Sequence, residues 1–243
     1  GVNRYMEDPL SLIDIGILGT RTLIDMCHKH NVRMLFASTS EVYGKNPDVP
    51  WSESGDRVLG ATDVDRWSYS TSKAICEHML FGMHHKDGWP MSIVRFFNVY
   101  GPRQNPIYVV SKSVHRVLNA LEPELYDGGN QTRCFTYIDD VIDGLILSAT
   151  MDVAIGQVIN LGNPVENNMK DVVNAVLEAA ESDLDVTHIR TSEKYGNVYE
   201  DIPRRVPSVQ KAFDLLGWKP STSMREGVRK TVEWAKNNPW YLN

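Results

Sequence analysis

Short apolar runs that break off into polar, turn-forming segments constrain this chain more than any other feature. Met34-Leu35-Phe36-Ala37 runs into Ser38-Thr39-Ser40, Met91 to Phe97 ends at Gly101-Pro102, and Val158 to Leu161 stops at Gly162-Asn163-Pro164. The first two lack the apolar–polar alternation of a half-exposed strand, which suits strands buried on both faces. Between the runs lie helical patterns. Pro9 to His30 carries Leu10, Leu12, Ile13, Ile17, Leu18, Leu23, Ile24 and Met26 on a broad apolar face, and Ser70 to Lys86 forms a second long helix. Strand–helix alternation of this kind predicts an α/β fold with a mainly parallel sheet.

The remaining elements fill in this outline. Asn46 to Asp65, with Pro47, Pro50, Gly55 and Gly60, reads as a loop. Ile107 to Leu121 reads as a helix. Glu124 to Tyr126 and Cys134 to Tyr137 read as short strands around the turn Asp127-Gly128-Gly129-Asn130. Asp139 to Ala149 is a predicted helix with Asp139 as its N-cap. Asp171 to Glu181 and Met224 to Asn237 are predicted amphipathic helices.

Bulk properties exclude several classes of function. The net charge of −6 over 243 residues gives no concentrated basic surface for nucleic acid or membrane. Val141 to Ala149 is too short to span a bilayer, and Gly1-Val2-Asn3-Arg4 does not open a signal peptide. Cys27, Cys76 and Cys134 are odd in number and widely spaced, which argues against a disulfide framework or zinc site and fits a reducing cytoplasm. His28, His30, His84 and His85 fall near predicted helix ends with no matching carboxylates, so metal chemistry is not expected.

Five segments carry candidate chemistry. In Tyr69-Ser70-Thr71-Ser72-Lys73, a phenol and an ammonium lie one helical turn apart on one face. That spacing lets the cation favour phenolate, as a general base toward a hydroxyl requires. Taken alone, the same spacing is more often a surface pair. Ser38-Thr39-Ser40-Glu41-Val42-Tyr43-Gly44 follows an apolar strand, at the end where open α/β sheets bind ligands. A Ser/Thr loop capping the next turn is its commoner meaning. Arg95-Phe96-Phe97-Asn98-Val99-Tyr100-Gly101-Pro102-Arg103 ends a strand in an amide and a break. Arg133-Cys134-Phe135-Thr136-Tyr137-Ile138-Asp139-Asp140 sets an arginine beside a strand. Tyr199 to Ser208 places Arg204 and Arg205 in a Pro-bounded loop, suited to an anion or to a solvated surface.

In this order, S-T-S-E-V-Y-G, Y-S-T-S-K, R-F-F-N-V-Y-G-P-R and R-C-F-T-Y-I-D-D resemble the NAD-dependent epimerase/dehydratase family, extended short-chain dehydrogenases/reductases acting on nucleotide sugars. The likeness runs from about Pro9 to Trp234. It implies a Rossmann-like parallel sheet with a smaller substrate domain: residues 1–101 and 134–162 in the first, 102–133 and 163–243 in the second. It implies that Tyr69 is the acid–base group, that Lys73 holds the nicotinamide ribose and tunes Tyr69, and that Thr39 is the hydroxyl partner. Asn98 and Arg133 would contact the nucleotide diphosphate region. It also implies a homodimer through helices 9–30 and 70–86.

The resemblance narrows the reaction. Thr39-Ser40-Glu41 stands where the family's 4,6-dehydratases usually carry Thr-Asp-Glu, and simple 4-epimerases generally lack the Glu. The segment is most similar to UDP-glucuronate decarboxylase domains, whose loop arginine Arg205 would match, and to UDP-glucuronate 4-epimerases. Glu41 and Arg205 are thus the candidates for chemistry after oxidation at C4, Ser40 is counted with Thr39, Glu41, Tyr69 and Lys73 among the catalytic residues, and 4,6-dehydration is an alternative. The family's G-x-x-G-x-x-G loop after a first strand has no counterpart here, since Gly16 and Gly19 lie inside a predicted helix. The expectation is a sheet without its N-terminal strands, weakened binding of NAD, and a non-catalytic nucleotide-sugar-binding scaffold as a further alternative.

Overall fold

The computed structural model describes residues 8–190, 202 and 204–242. Residues Tyr199 to Asp201 and Pro203 of the two-arginine loop therefore lie outside the described residues. The chain divides into two compact units. One comprises Gly1–Phe97, Ile142–Pro164 and Pro207–Lys219; the other comprises Asn98–Val141, Val165–Val206 and Pro220–Asn243.

The first unit is built on a parallel three-stranded sheet in the order β1 (Met34–Thr39), β2 (Met91–Phe96), β7 (Gln157–Leu161). Met34 lies opposite Met91, Thr39 opposite Phe96, and Phe96 opposite Leu161. Residues of β2 alternate between two cores, as the period of a strand requires. Met91 and Ile93 join Phe36, Val158, Ile24, Cys76 and Leu80 on the face covered by α1 (Pro9–Lys29) and α2 (Arg66–Asp87). Val94 joins Ile159, Leu161, Ala212, Leu216 and Trp218 on the opposite face, under α6 (Gln210–Leu216) and the C-terminal part of α4 (Ile138–Thr150). Burial on both faces explains why β2 and β7 show no apolar–polar alternation, whereas β1 is less fully covered, with Ala37 exposed.

The second unit pairs β3 (Val99–Tyr100) with β6 (Thr136–Tyr137) and β4 (Glu124–Tyr126) with β9 (Thr187–Ile189), both in parallel. It pairs β5 (Thr132–Cys134) with β8 (Glu166–Asn168) in antiparallel. Helices α3 (Val109–Leu118), α5 (Met169–Ala180) and α7 (Met224–Lys236) close over a core that includes Tyr100, Val114, Tyr137, Val172, Val176, Val228 and Val232. Ser223 caps α7 by accepting from the Glu226 amide, and Asn168 caps α5 by accepting from the Asp171 amide.

Several sequence expectations are corrected. The strands flanking Asp127 to Asn130 are Glu124–Tyr126 and Thr132–Cys134, and the expected strand Cys134 to Tyr137 is split between β5 and β6. The intervening residues make a 3-10 turn, Asp127–Gly129, and the strands pair with different partners. Asp139 is not an N-cap. It lies in the first turn of α4, beside buried Asp140, whose carboxylate accepts the Ser221 hydroxyl and the Thr222 amide. The second long helix starts at Arg66 rather than Ser70. Residues 134–141 go with the second unit, because β6 pairs with β3. Residues 207–219 go with the first, because α6 packs on the sheet through Ala212 and Leu216. Among the described residues, no helix is long and apolar enough to cross a membrane, and no group of three metal-ligating side chains occurs.

Candidate active site

In the first unit, the candidate chemistry gathers where β1 ends and α2 begins. Thr39 closes β1 in extended conformation, and its hydroxyl accepts the Glu41 amide at 3.2 Å, capping the 3-10 turn Ser40–Tyr43. Ser40 is buried. The Glu41 carboxylate lies 3.5 Å from the Arg66 guanidinium, which is almost wholly buried and sits over the Trp67 ring. Gly44 ends the turn at φ +62°, and an added Cβ there would lie 2.1 Å from the Val58 carbonyl oxygen. A glycine is required at this point of the loop.

Helix α2 packs against this turn and carries Tyr69 in its first turn, half-buried. Lys73, one turn further, donates from Nζ to the Ala37 carbonyl at 2.9 Å and stands 4.7 Å from the centre of the Phe36 ring. Burial lowers the Lys73 pKa, opposed by the neighbouring Cys76 and Glu77. The structure thus brings Thr39, Ser40, Glu41, Tyr69 and Lys73 to adjoining segments of one unit.

Asn98, Arg133 and Arg205 belong to the second unit. Asn98 has φ +30°, a left-handed conformation that Asn tolerates better than most residues, and its carbonyl accepts the Thr136 amide at 3.1 Å. Arg133 is half-buried on β5 and donates to the Thr132 carbonyl at 2.7 Å. Arg205 is buried, whereas its neighbour Arg204 is exposed and pairs with Glu166 at 2.6 Å.

The sequence reading missed a buried polar network beneath the Thr39 loop. Glu77 forms a two-pronged ion pair with Arg95 at 3.0 and 2.6 Å and accepts the Ser38 hydroxyl at 2.5 Å. Arg95 also donates to the Tyr43 hydroxyl at 2.9 Å, which donates in turn to Asn160 Oδ1 at 2.8 Å. Burial raises the Tyr43 pKa, so the phenol stays a neutral donor. Burial opposes the Arg95 charge, but the Glu77 carboxylate more than offsets this and raises its pKa. The signal available in the sequence was an arginine inside an otherwise apolar run. Arg66, partner of Glu41, carried no comparable signal.

The GDP-mannose 4,6-dehydratase family matches residues 1–231. The chain belongs to this family of NAD-dependent epimerases and dehydratases. Within the family, it is 35% identical over 238 residues to the UDP-N-acetyl-alpha-D-glucosaminuronate decarboxylase of Bacillus cytotoxicus, covering 96% of this chain and 73% of that protein. The structure is similar to UDP-N-acetylglucosamine 4-epimerase from Methanobrevibacter ruminantium in complex with UDP-N-acetylmuramic acid. That likeness has a TM-score of 0.86 and 29% identity, and covers 98% of this chain and 74% of the other. It is also similar to UDP-glucuronic acid 4-epimerase from Bacillus cereus, solved with UDP-glucuronic acid and NAD. Here the TM-score is 0.77 with 25% identity, covering 93% and 68% of the two chains. The α/β architecture with its parallel sheet is thus the Rossmann-type fold expected from the motifs.

Proposed function

We propose that this protein acts on a UDP-hexuronate, oxidising it at C4 and then decarboxylating or epimerising it. The observation that carries this reading is the convergence of Thr39, Glu41, Tyr69 and Lys73 on adjoining ends of β1 and α2. A phenol and an ammonium at the C-terminal edge of a parallel sheet fit the ribose and carboxamide end of a dinucleotide, so Tyr69 and Lys73 are the residues that would hold NAD. NAD, when bound, supplies the hydride acceptor for C4.

The chain's own groups do the rest. Tyr69 takes the proton of the C4 hydroxyl, Thr39 hydrogen-bonds the same oxygen, and the Lys73 cation favours the phenolate. A ketone at C4 makes the hexuronate a β-keto acid. Loss of CO2 leaves an electron pair at C5, which accepts a proton, and Glu41 is the titratable group of the Thr-Ser-Glu segment available to deliver it. Arg205 offers a guanidinium fork to the sugar carboxylate or the diphosphate, and Asn98 and Arg133 serve the nucleotide diphosphate.

The 35% identity to a hexuronate decarboxylase favours decarboxylation over epimerisation. The serine at position 40, where dehydratases of the family usually carry an acid for the leaving hydroxyl, speaks against dehydration. Exposed Leu10, Leu18 and Met26 on α1 and Ile75 on α2 support a homodimer through these helices, and three free cysteines support a cytoplasmic location.

The test is to incubate the purified chain with NAD and either UDP-glucuronate or UDP-N-acetylglucosaminuronate, following CO2 release and the sugar spectrum by proton NMR. The expected product is a pentose or 4-keto pentose. Tyr69→Phe should lower kcat by about 10²-fold or more, the scale for losing a positioned acid–base group. Absence of both decarboxylated and epimerised sugar with either substrate, or a Tyr69→Phe enzyme that turns over normally, would overturn the reading.

A further inference from the structure

Glu77 has no part in the chemistry above, yet it is among the most deeply buried charges of the chain, at 5% exposure. Its carboxylate accepts three hydrogen bonds: Ser38 Oγ and Arg95 Nε on one oxygen, Arg95 Nη2 on the other. A buried ion pair is a weak stabiliser compared with an apolar packing of the same volume, so its value is better sought in the geometry it imposes.

That geometry concerns the Thr39 segment. Tyr69, Lys73 and Glu77 are spaced by four along α2 and share one face. Lys73 binds the carbonyl of Ala37, and Glu77 binds the hydroxyl of Ser38. Two consecutive residues of β1 are thereby tied to the helix that carries Tyr69, and the next residue is Thr39. Arg95 lies opposite Ser38 in the sheet, and besides gripping Glu77 it donates to the Tyr43 hydroxyl and to the Glu53 carbonyl at 3.1 Å. Tyr43 closes the 3-10 turn that Thr39 opens. The Thr39-Ser40-Glu41 segment is thus anchored just before its start, through Ser38, and just after its end, through Tyr43, to the same Glu77–Arg95 pair.

We propose that Glu77, locked by Arg95, is a positioning residue that fixes the Thr39–Glu41 segment against the face of α2 bearing Tyr69. The proposal rests on the assignment of Thr39 and Tyr69 as the pair acting on the C4 hydroxyl. It deepens that assignment by naming what sets their separation. Neither Glu77 nor Ser38 touches substrate in this account; they act through Thr39.

Replacing Glu77 would strand the Arg95 charge and confuse positioning with folding, so the decisive variant is Ser38→Ala. It removes one hydrogen bond and leaves the ion pair intact. The first readout is amide hydrogen exchange, which needs no activity. The Glu41 amide, bonded to Thr39 Oγ1, should exchange about tenfold faster in S38A, with the amides of α2 and β2 within about twofold of wild type. The second readout is kinetic. In S38A, kcat on the UDP-hexuronate should fall about tenfold or more with KM within about twofold, as expected of a displaced reacting group. Unchanged exchange at residues 39–41 overturns the proposal whatever the kinetics, as does faster exchange with an unchanged kcat in an active enzyme. Faster exchange in S38A, where the wild-type protein turns over no UDP-hexuronate, supports the anchoring and sinks the functional reading instead.

Discussion

Substitution of Arg95 by Met is the perturbation whose outcome the structure specifies most fully. Arg95 makes two contacts to Glu77 at 3.0 and 2.6 Å, one to the Tyr43 hydroxyl at 2.9 Å and one to the Glu53 carbonyl at 3.1 Å. The two charged side chains are 8% and 6% exposed, so water cannot replace the lost partner. Breaking a buried pair from one side costs about 3–5 kcal/mol, because a bare charge remains. At roughly 2–4 °C per kcal/mol for a chain of this size, the Tm of Arg95→Met should fall by roughly 6–20 °C. The double variant Glu77→Met/Arg95→Met removes both charges and should recover most of that loss, since apolar replacement of a whole buried pair is often neutral. Urea unfolding followed through buried Trp51, Trp67 and Trp89 reads both variants, and with the single variant Glu77→Met it completes a double-mutant cycle. A loss under about 1 kcal/mol in Arg95→Met, or a double variant as damaged as the sum of the singles, would refute the account of the pair.

Two further outcomes test the loop and the second unit. Gly44→Ala sets a Cβ 2.1 Å from the Val58 carbonyl oxygen at φ +62°, whereas Gly88→Ala meets nothing within 4 Å at φ +75°. Gly88→Ala should therefore lose only the roughly 1–2 kcal/mol of a left-handed residue, and Gly44→Ala distinctly more, as compared by urea midpoints. At Glu166, hydrogen bonds from Arg204 and Thr132 hold the carboxyl pKa below its usual value of 4.5. Because the folded pKa is the lower one, its stabilisation is present above the unfolded pKa and is lost as pH falls through the folded pKa. The stability gap between wild type and Glu166→Gln should therefore be constant near neutrality and close in acid, as read by urea melts across pH. A gap that widens in acid would contradict the assignment.

What the sequence disclosed follows from how locally each feature is encoded. The three strands of the first unit were legible as short, mostly apolar runs: Met91 to Phe97 and Val158 to Leu161 because β2 and β7 are buried on both faces, and Met34 to Ala37 because all four residues are apolar although Ala37 is exposed. The start of α2 was not legible, because Asp65 makes no side-chain capping bond and the first turn, Arg66 to Tyr69, carries no cap signature. The strands on either side of Gly128 and Gly129 were legible as strands, but their partners were not, because strand partners are chosen across the chain, as the pairing of β4 with residues 187–189 shows. Tyr69 and Lys73 were found through helical spacing. Glu77 lies on the same face one turn further, but its importance depends on Ser38 and Arg95, which reach it from other elements. The left-handed backbone of Asn98 left no mark beyond the residue's tolerance for it.

The arginine in β2 also bears on how the chain selects one arrangement over its near alternatives. Residues Met91 to Arg95 are all buried, so hydrophobic patterning gives this strand little preference between neighbouring registers. A slip of one residue would carry the guanidinium out of reach of Glu77 and into the apolar cluster of Val94, Ile159 and Leu161. Ser92, which bonds the Ala154 carbonyl from the same strand, would turn with it. A misregistered sheet is thus penalised by two misplaced polar groups at once. The same pair that holds the loop over β1 makes the native alignment of the central strand the one that leaves no buried charge alone.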